Sequence, residues 1–437
     1  MRTFPTDESK HITASKGLLA LSPAAVFLLL YVAVSILIGD FYVMPITVAL
    51  LVASAWAVAI YSGPRLNERI ERFSTAAGHS NILYMIWIFI MAGAFAALAK
   101  GIGAIDATVQ LTLEVFPVHL LLPAIFLASC FISLAIGTSV GTVVAIVPLI
   151  VEIAESGGGS VPLFVATALG GAFFGDNLSF ISDTTIAATR TQGCSMADKF
   201  KANFRIVCPA ALITLLIYFI IGSDIDLSVP EKASDPLLIL PYIIIIVTAL
   251  AGINVLIVLS GGILATIILA VLRTDTGVMD CCRLMGEGIG SMGELIVITL
   301  LAAGMLGLIK AMGGIDFILQ SLTRHIHGKR GAQFCIATLV SLVNVCTANN
   351  TVAIISVGSI ARKISEKYSI APRRTASVLD TCSCIVQCLI PYGAQTLLAT
   401  GLAGISPAAP WQYLYYPWML AVTVMIAIIL PPLKKRK

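Results

Sequence analysis

Apolar runs recur along the whole chain, near residues 21–38, 44–61, 82–99, 118–136, 140–153, 161–189 and 204–222. They continue near 236–258, 259–272, 289–309, 333–346, 350–361, 375–402 and 412–431. A helix of about 20 apolar residues spans the hydrocarbon core of a bilayer, so the pattern predicts an all-α polytopic membrane protein. Several runs are too short or too broken to be plain spans. The pairs 118–136/140–153 and 333–346/350–361 meet at "GTSVGT" and "TANNT", tips full of small and hydrogen-bonding residues. Each pair, 118–153 and 333–361, reads as a re-entrant hairpin that returns to its own side. The runs 161–189 and 375–402 read as broken helices, because glycine, proline and polar residues interrupt them. About ten transmembrane helices accompany the two hairpins and two broken helices.

Composition fits this reading. Of 437 residues, 58% are hydrophobic and 11% charged, with a mean hydropathy of +0.98, against roughly 25% charged in a soluble protein. The first twenty residues are mostly polar and lack a compact apolar core or cleavage site, so no removable signal peptide is expected. No stretch is long and polar enough for a soluble domain. Most of the ten cysteines fall in apolar runs, where Cys packs as a small hydrophobe. Cys382, Cys384 and Cys388 lack a histidine partner and metal-ligand spacing. No metal motif, nucleophile elbow or nucleotide loop appears, which excludes an enzyme, and no cofactor is expected.

An internal repeat organises the runs. "AALAKGIGAIDATVQ" (96–110) lines up with "GLIKAMGGIDFILQ" (307–320) at a shift of 210 residues. The same shift carries "GTSVGTVVAIV" onto the neighbourhood of "TANNTVAIISV" with a slip of one or two residues, and "ISDTT" onto "IPYGAQ". With the N-terminus inside, every basic residue except Lys100, Lys232, Arg273 and Arg283 falls on the cytoplasmic side, as the positive-inside rule requires. The first repeat, 1–222, then has an odd number of spans, so the second, 223–437, enters with inverted topology. Inverted repeats with broken helices are the architecture of secondary transporters, which bind near the midplane. The expected location is a cell inner membrane, with both termini cytoplasmic.

The candidate chemistry sits in "GGAFFGDNLSFISDTTIAATRTQG" (170–193). Asp176 and Asp183 are ringed there by Asn177, Ser179, Ser182, Thr184 and Thr185. Intramembrane carboxylates signal ion or proton handling, and unwound carbonyls with hydroxyl and amide oxygens make a hard-oxygen site suited to Na+. Asp176 is the sharper ion or proton carrier; Asp183 also suits the start of the second half-helix, since "SDTT" is an N-cap pattern. The tips offer Thr138, Ser139 and Thr142 on one side and Thr347, Asn349, Asn350 and Thr351 on the other, as solute contacts or helix caps. In the second broken helix Asp380 is either a second ion ligand or a helix-start carboxylate. Tyr392 and Gln395 match Ser182 and Thr185. Glu294 lines an entry path or lies at the interface, and Asp106 and Asp316 read as structural. No Lys or Arg lies at the centre of a broken helix, which leaves room for a cation.

The stretch "GAFFGDNLSFISDTT" resembles the NhaC-type Na+/H+ antiporter family, whose pattern reads close to G-D-K-x-S-P-x-S-D-T-T. Gly175, Asp176, Ser179, Ser182, Asp183, Thr184 and Thr185 match it, while Asn177 replaces the Lys and Phe180 the Pro. The resemblance implies two hairpins, broken helices, a homodimer and an elevator-like motion of hairpins and broken helices against a scaffold of early spans. Two functions follow. One is a Na+/H+ antiporter in which both ions compete for Asp176 and Asp183. The other is a Na+- or H+-coupled carrier of a small organic solute, an amino acid or carboxylate, held between the tips. Paired broken helices argue against a channel, and no nucleic-acid partner is expected.

Overall fold

The computed structural model describes residues 13–38, 44–104, 107, 117–180, 182–223, 235–251, 253–323 and 328–430. Asp106, the acidic segment after Ser223 and the basic tail lie outside the described residues. Nineteen α-helices and no strand occur among those described. They are α1 (Ala14–Ile38), α2 (Ile46–Ile60), α3 (Leu66–Ala77), α4 (Ser80–Gly101), α5 (Leu121–Ile136) and α6 (Ser139–Gly157). Next come α7 (Val161–Leu178), α8 (Asp183–Gln192), α9 (Met196–Gly222), α10 (Leu240–Leu250), α11 (Val255–Arg273), α12 (Val278–Ser291) and α13 (Gly293–Ala311). The chain ends with α14 (Gly314–Thr323), α15 (Gly328–Thr347), α16 (Asn350–Lys367), α17 (Pro372–Leu389), α18 (Ala394–Leu402) and α19 (Tyr415–Ile429).

Among the described residues eight helical segments are long and apolar enough to cross a membrane, and four more are apolar but shorter. The expectation of about ten spans therefore mixes both classes. Two boundaries also differ from those read in the sequence. The run 236–258 ends early at Leu250, and α11 starts afresh at Val255, where the Asn254 side chain accepts from the Leu256 N–H at 2.9 Å. The run at 289 is preceded by a full helix, α12, whose "GEGIGS" looks like a loop. Its glycines serve packing instead: a Cβ at Gly288 would sit 2.1 Å from the Gly93 carbonyl oxygen, so α4 and α12 cross at backbone contact.

The chain divides into two compact units. The first comprises residues 1–79 and 300–327. In it, α3 is an amphipathic helix that the apolar pattern does not show. Its Arg69 donates to the Val58 and Ala59 carbonyls at the end of α2, at 3.2 and 2.9 Å. A cation there satisfies carbonyls that the helix leaves without partners. Gly304 lies flat against the Phe73 ring, with no room for a side chain.

The second unit comprises residues 80–299 and 328–437, and holds both helix-turn-helix pairs and both broken helices. Their backbones repeat at an offset of 211 residues. The tip between α5 and α6 places Gly137 in the left-handed region (φ 76°) and Thr138 in extended form. The tip between α15 and α16 does the same with Ala348 (φ 48°) and Asn349. Helix α7 stops at Leu178 and α17 at Leu389; α8 resumes after Ser182 and α18 after Gly393, each through extended residues. Even a cross-helix bond recurs. Ser133 Oγ donates to the Ala172 carbonyl at 2.5 Å, and Asn344 Nδ2 to the Ser383 carbonyl at 2.7 Å.

Candidate ion-binding site

The break between α7 and α8 leaves the end of one half-helix and the start of the next facing a polar interior. Asp176, in the last turn of α7, is 5% exposed. Its Oδ1 accepts from Ser182 Oγ and its Oδ2 from Ser139 Oγ, both at 2.8 Å. Ser182 occupies the N-cap position of α8, but its hydroxyl makes no cap bond. It serves Asp176 instead and lies 2.9 Å from Thr184 Oγ1. The chain of bonds continues from Ser139 into the second broken helix. Gln395 Nε2 donates to Ser139 Oγ at 3.0 Å, and Gln387 Nε2 to Gln395 Oε1 at 3.0 Å and to the Ala348 carbonyl at 3.1 Å. One network thus joins both broken helices and both tips. Among the described residues no ion pair reaches Asp176.

A second buried cluster lies beside the same break. Lys199, on the first turn of α9 and 1% exposed, sets its Nζ 2.7 Å from Asp380 Oδ2. It also donates to the Asn177 main-chain carbonyl at 2.8 Å and to Thr185 Oγ1 at 2.6 Å. Asn203, one turn further along α9, donates to the same Asn177 carbonyl at 2.8 Å and to Asp380 Oδ2 at 2.7 Å. Together they cap the carbonyl end of α7, where partial negative charge gathers. The Asn177 amide donates to the Phe173 carbonyl and to Tyr416 Oη. Several buried oxygens have no donor, among them Asp380 Oδ1, Asn177 Oδ1, Asn203 Oδ1 and Gln387 Oε1. Buried acceptors of this kind call for ordered water or an ion.

The residues singled out in the sequence divide accordingly. Asp176, Ser139, Ser182, Thr184 and Gln395 meet in one network, and Asn177 and Asp380 belong to the adjoining cluster. Asp183 is exposed, in the first turn of α8, away from the Asp176 carboxylate bonds. Thr142 bonds back to the Thr138 carbonyl at 3.0 Å, an intrahelical contact. Asn349 caps α16 by accepting from the Val352 N–H at 2.9 Å. Asn350 accepts from the Thr351 N–H and reaches Cys384 Sγ at 3.8 Å. Thr347 Oγ1 donates to the Asn349 carbonyl, and Tyr392 Oη to the Val345 carbonyl. Glu294 and Asp316 are exposed.

Lys199 is the main difference from the sequence reading. Its place among cytoplasmic charges and the absence of basic residues from the broken helices hide it, because it arrives from the following helix. A signal existed: Lys199, Asn203, Ile206, Val207, Ala210 and Thr214 share the buried face of α9, spaced three and four apart as one helical stripe requires. Gln387, likewise missed, stands 211 positions after Asp176.

Comparison with known proteins gives a consistent family. The model of the Na+/H+ antiporter family matches residues 8–223 and 233–432. A malate-2H(+)/Na(+)-lactate antiporter of Bacillus subtilis is 23% identical over 88% of this chain and 89% of its own length. The Na(+)/H(+) antiporter NhaC of the same organism is 24% identical over 76% and 80%. An arginine/ornithine antiporter, ArcD, of Halobacterium salinarum is 21% identical over 79% and 77%.

Proposed function

Since the chain belongs to the Na+/H+ antiporter family, we propose that it exchanges Na+ for H+ by alternating access, with the two ions competing for Asp176. The observation that carries this reading is a buried carboxylate held by two rotatable hydroxyls and no cation. A serine hydroxyl is both donor and acceptor. With Asp176 ionised and no ion bound, Ser139 and Ser182 donate to it. When Na+ enters, the same hydroxyls turn their lone pairs to the ion. When a proton enters, the carboxyl becomes neutral and suits a buried site.

The architecture belongs to the proposal as well. The matched tips and breaks support two repeats, 1–222 and 223–437, of inverted topology. In this reading the tips are re-entrant, hairpins and broken helices move as an elevator, the protein is a homodimer, and both termini face the cytoplasm of an inner membrane. A second reading is coupled transport of a small organic solute. It is favoured by the amides of Gln387 and Gln395, which reach the network from the second broken helix, and by relatives named for malate, lactate, arginine and ornithine exchange.

The test is proton movement in proteoliposomes with a trapped pH dye, an imposed Na+ gradient and no organic solute. Na+-dependent proton flux that is lost in Asp176→Asn, with the variant still folded, is the expected result. No flux with any Na+ gradient, together with Na+-dependent uptake of a dicarboxylate or amino acid, would favour the second reading.

A further inference from the structure

We propose that Lys100, bridging from α4 to Glu152 and Glu155 of α6, is a strap across the seam between the moving and fixed helices and has to open in each transport cycle. The inference rests on the reading of hairpins and broken helices as the moving part, and names one contact that their motion breaks.

The seam shows first in the packing. Helices α4 and α12 cross at backbone contact, and a Cβ at Gly288 would also sit 2.7 Å from the Ala97 side chain. That crossing has no spare room, so α4 and α12 form one rigid pair. Helix α18 packs along α6, and these two carry Gln395 and Ser139, members of the Asp176 network. Where the two pairs meet lies a cavity of about 160 Å³. Ala96 and Ala97 line it from α4, Val151 and Glu152 from α6, and Gly401 and Leu402 from α18. Protein interiors are packed nearly as densely as organic crystals. A void of this size between two tight pairs marks a surface along which they can shift.

Lys100, in the last turn of α4, spans the rim of that cavity. Its Nζ lies 3.2 Å from Glu152 Oε2 and 3.0 Å from Glu155 Oε2. The two glutamates stand three positions apart and so share one face of α6, which lets a single ammonium tie the two helices together. The Lys100 side chain is 59% exposed and that of Glu155 43%, whereas Glu152 is 12% exposed. Exposed ion pairs contribute little, because water replaces them readily. Such a strap holds α6 in place yet opens at small cost, which a fully buried pair does not permit. Helix α6 begins at Ser139 and reaches Glu152 about 20 Å further along its axis. The strap therefore acts on the helix that supplies one of the two donors to Asp176.

The first test replaces the strap by a covalent one. Lys100→Cys combined with Glu152→Cys, in proteoliposomes, should exchange Na+ for protons until a bifunctional maleimide bridges the two thiols. Flux should then fall about tenfold or more relative to wild type treated in the same way. Unchanged flux in protein that mass spectrometry shows to be bridged overturns the proposal. An equal loss with a monofunctional maleimide also overturns it, since bulk at the seam and not the tether would be responsible. A second measurement needs no transport. Val151→Cys, on the cavity wall at a position 6% exposed, should be alkylated about fivefold faster when Lys100→Met removes the strap, the upper end for an exposed pair. Lys100→Arg should keep the slow rate. Equal rates in all three backgrounds overturn the strap, whether or not the protein exchanges Na+ for protons. Faster alkylation in Lys100→Met without any Na+-dependent proton flux in the wild type overturns the exchange reading and leaves the strap standing.

Discussion

The two broken helices share a backbone and differ in charge. Each stops at a leucine, runs through extended residues and resumes as a short half-helix at the same offset. Where the first places Asp176 the second places Gln387, and where the first places Thr184 the second places Gln395. Breaking a helix inside a membrane demands polar partners for the freed backbone groups, and both segments provide them. Only the first puts a carboxyl group in the gap that, among the described residues, has no ion pair. The comparison teaches that the break is a general device, whereas the buried carboxylate is particular to the first segment and is what the proposed ion exchange depends on.

Substitutions can press on that difference. After loss of Asp176 itself, the largest effect is expected from Ser182→Ala or Ser139→Ala, which removes one of the two donors to the carboxylate. A hydrogen bond to a charged group is worth roughly 1.5–3 kcal/mol, or about a 10- to 150-fold change in apparent Na+ affinity. Na+ titration of proton flux reads it directly. Gln387→Leu cuts the link from Gln395 to the Ala348 carbonyl while leaving Asp176 intact. Flux should fall by about tenfold, as for the loss of roughly 1–1.5 kcal/mol of neutral hydrogen bonding, with little change in Na+ affinity. An affinity change as large as that of Ser182→Ala would show that the second segment contacts the ion. The smallest effect is expected from Asp183→Asn. An exposed first-turn carboxylate contributes about 0.3–1 kcal/mol to its helix, so a small drop in melting temperature should accompany nearly unchanged exchange. A large loss of Na+ affinity in that variant would make Asp183 an ion ligand.

Part of the site was legible before folding. Asp176, Ser182 and Thr184 fall within nine consecutive residues, and intramembrane polarity at such density draws attention in any apolar chain. Ser139 and Gln395 were legible through the repeat, because each sits at the tip or restart of a matched segment. Lys199 was not, since a basic residue near the end of a span reads as an interfacial charge unless its partner is known. That partner, Asp380, lies 181 positions further on and was itself readable as a helix-start carboxylate. The α3 and α12 helices escaped for a related reason: their apolar residues form a stripe or are glycines, and neither raises average hydropathy.

The sequence by itself determined that the chain is helical and membrane-embedded, that two polar breaks interrupt it, and that Asp176 lies in one of them. Those properties depend on hydrophobicity and spacing along the chain, which are local. The tertiary structure alone decided which of the two neighbouring aspartates turns inward, which lysine neutralises Asp380, and that Gln387 stands where a second carboxylate would make the site symmetric. Each depends on side chains from different helices meeting at distances below 3.5 Å. Charge compensation at that range is a property of the packed assembly, since a buried charge is tolerated only where its partners converge.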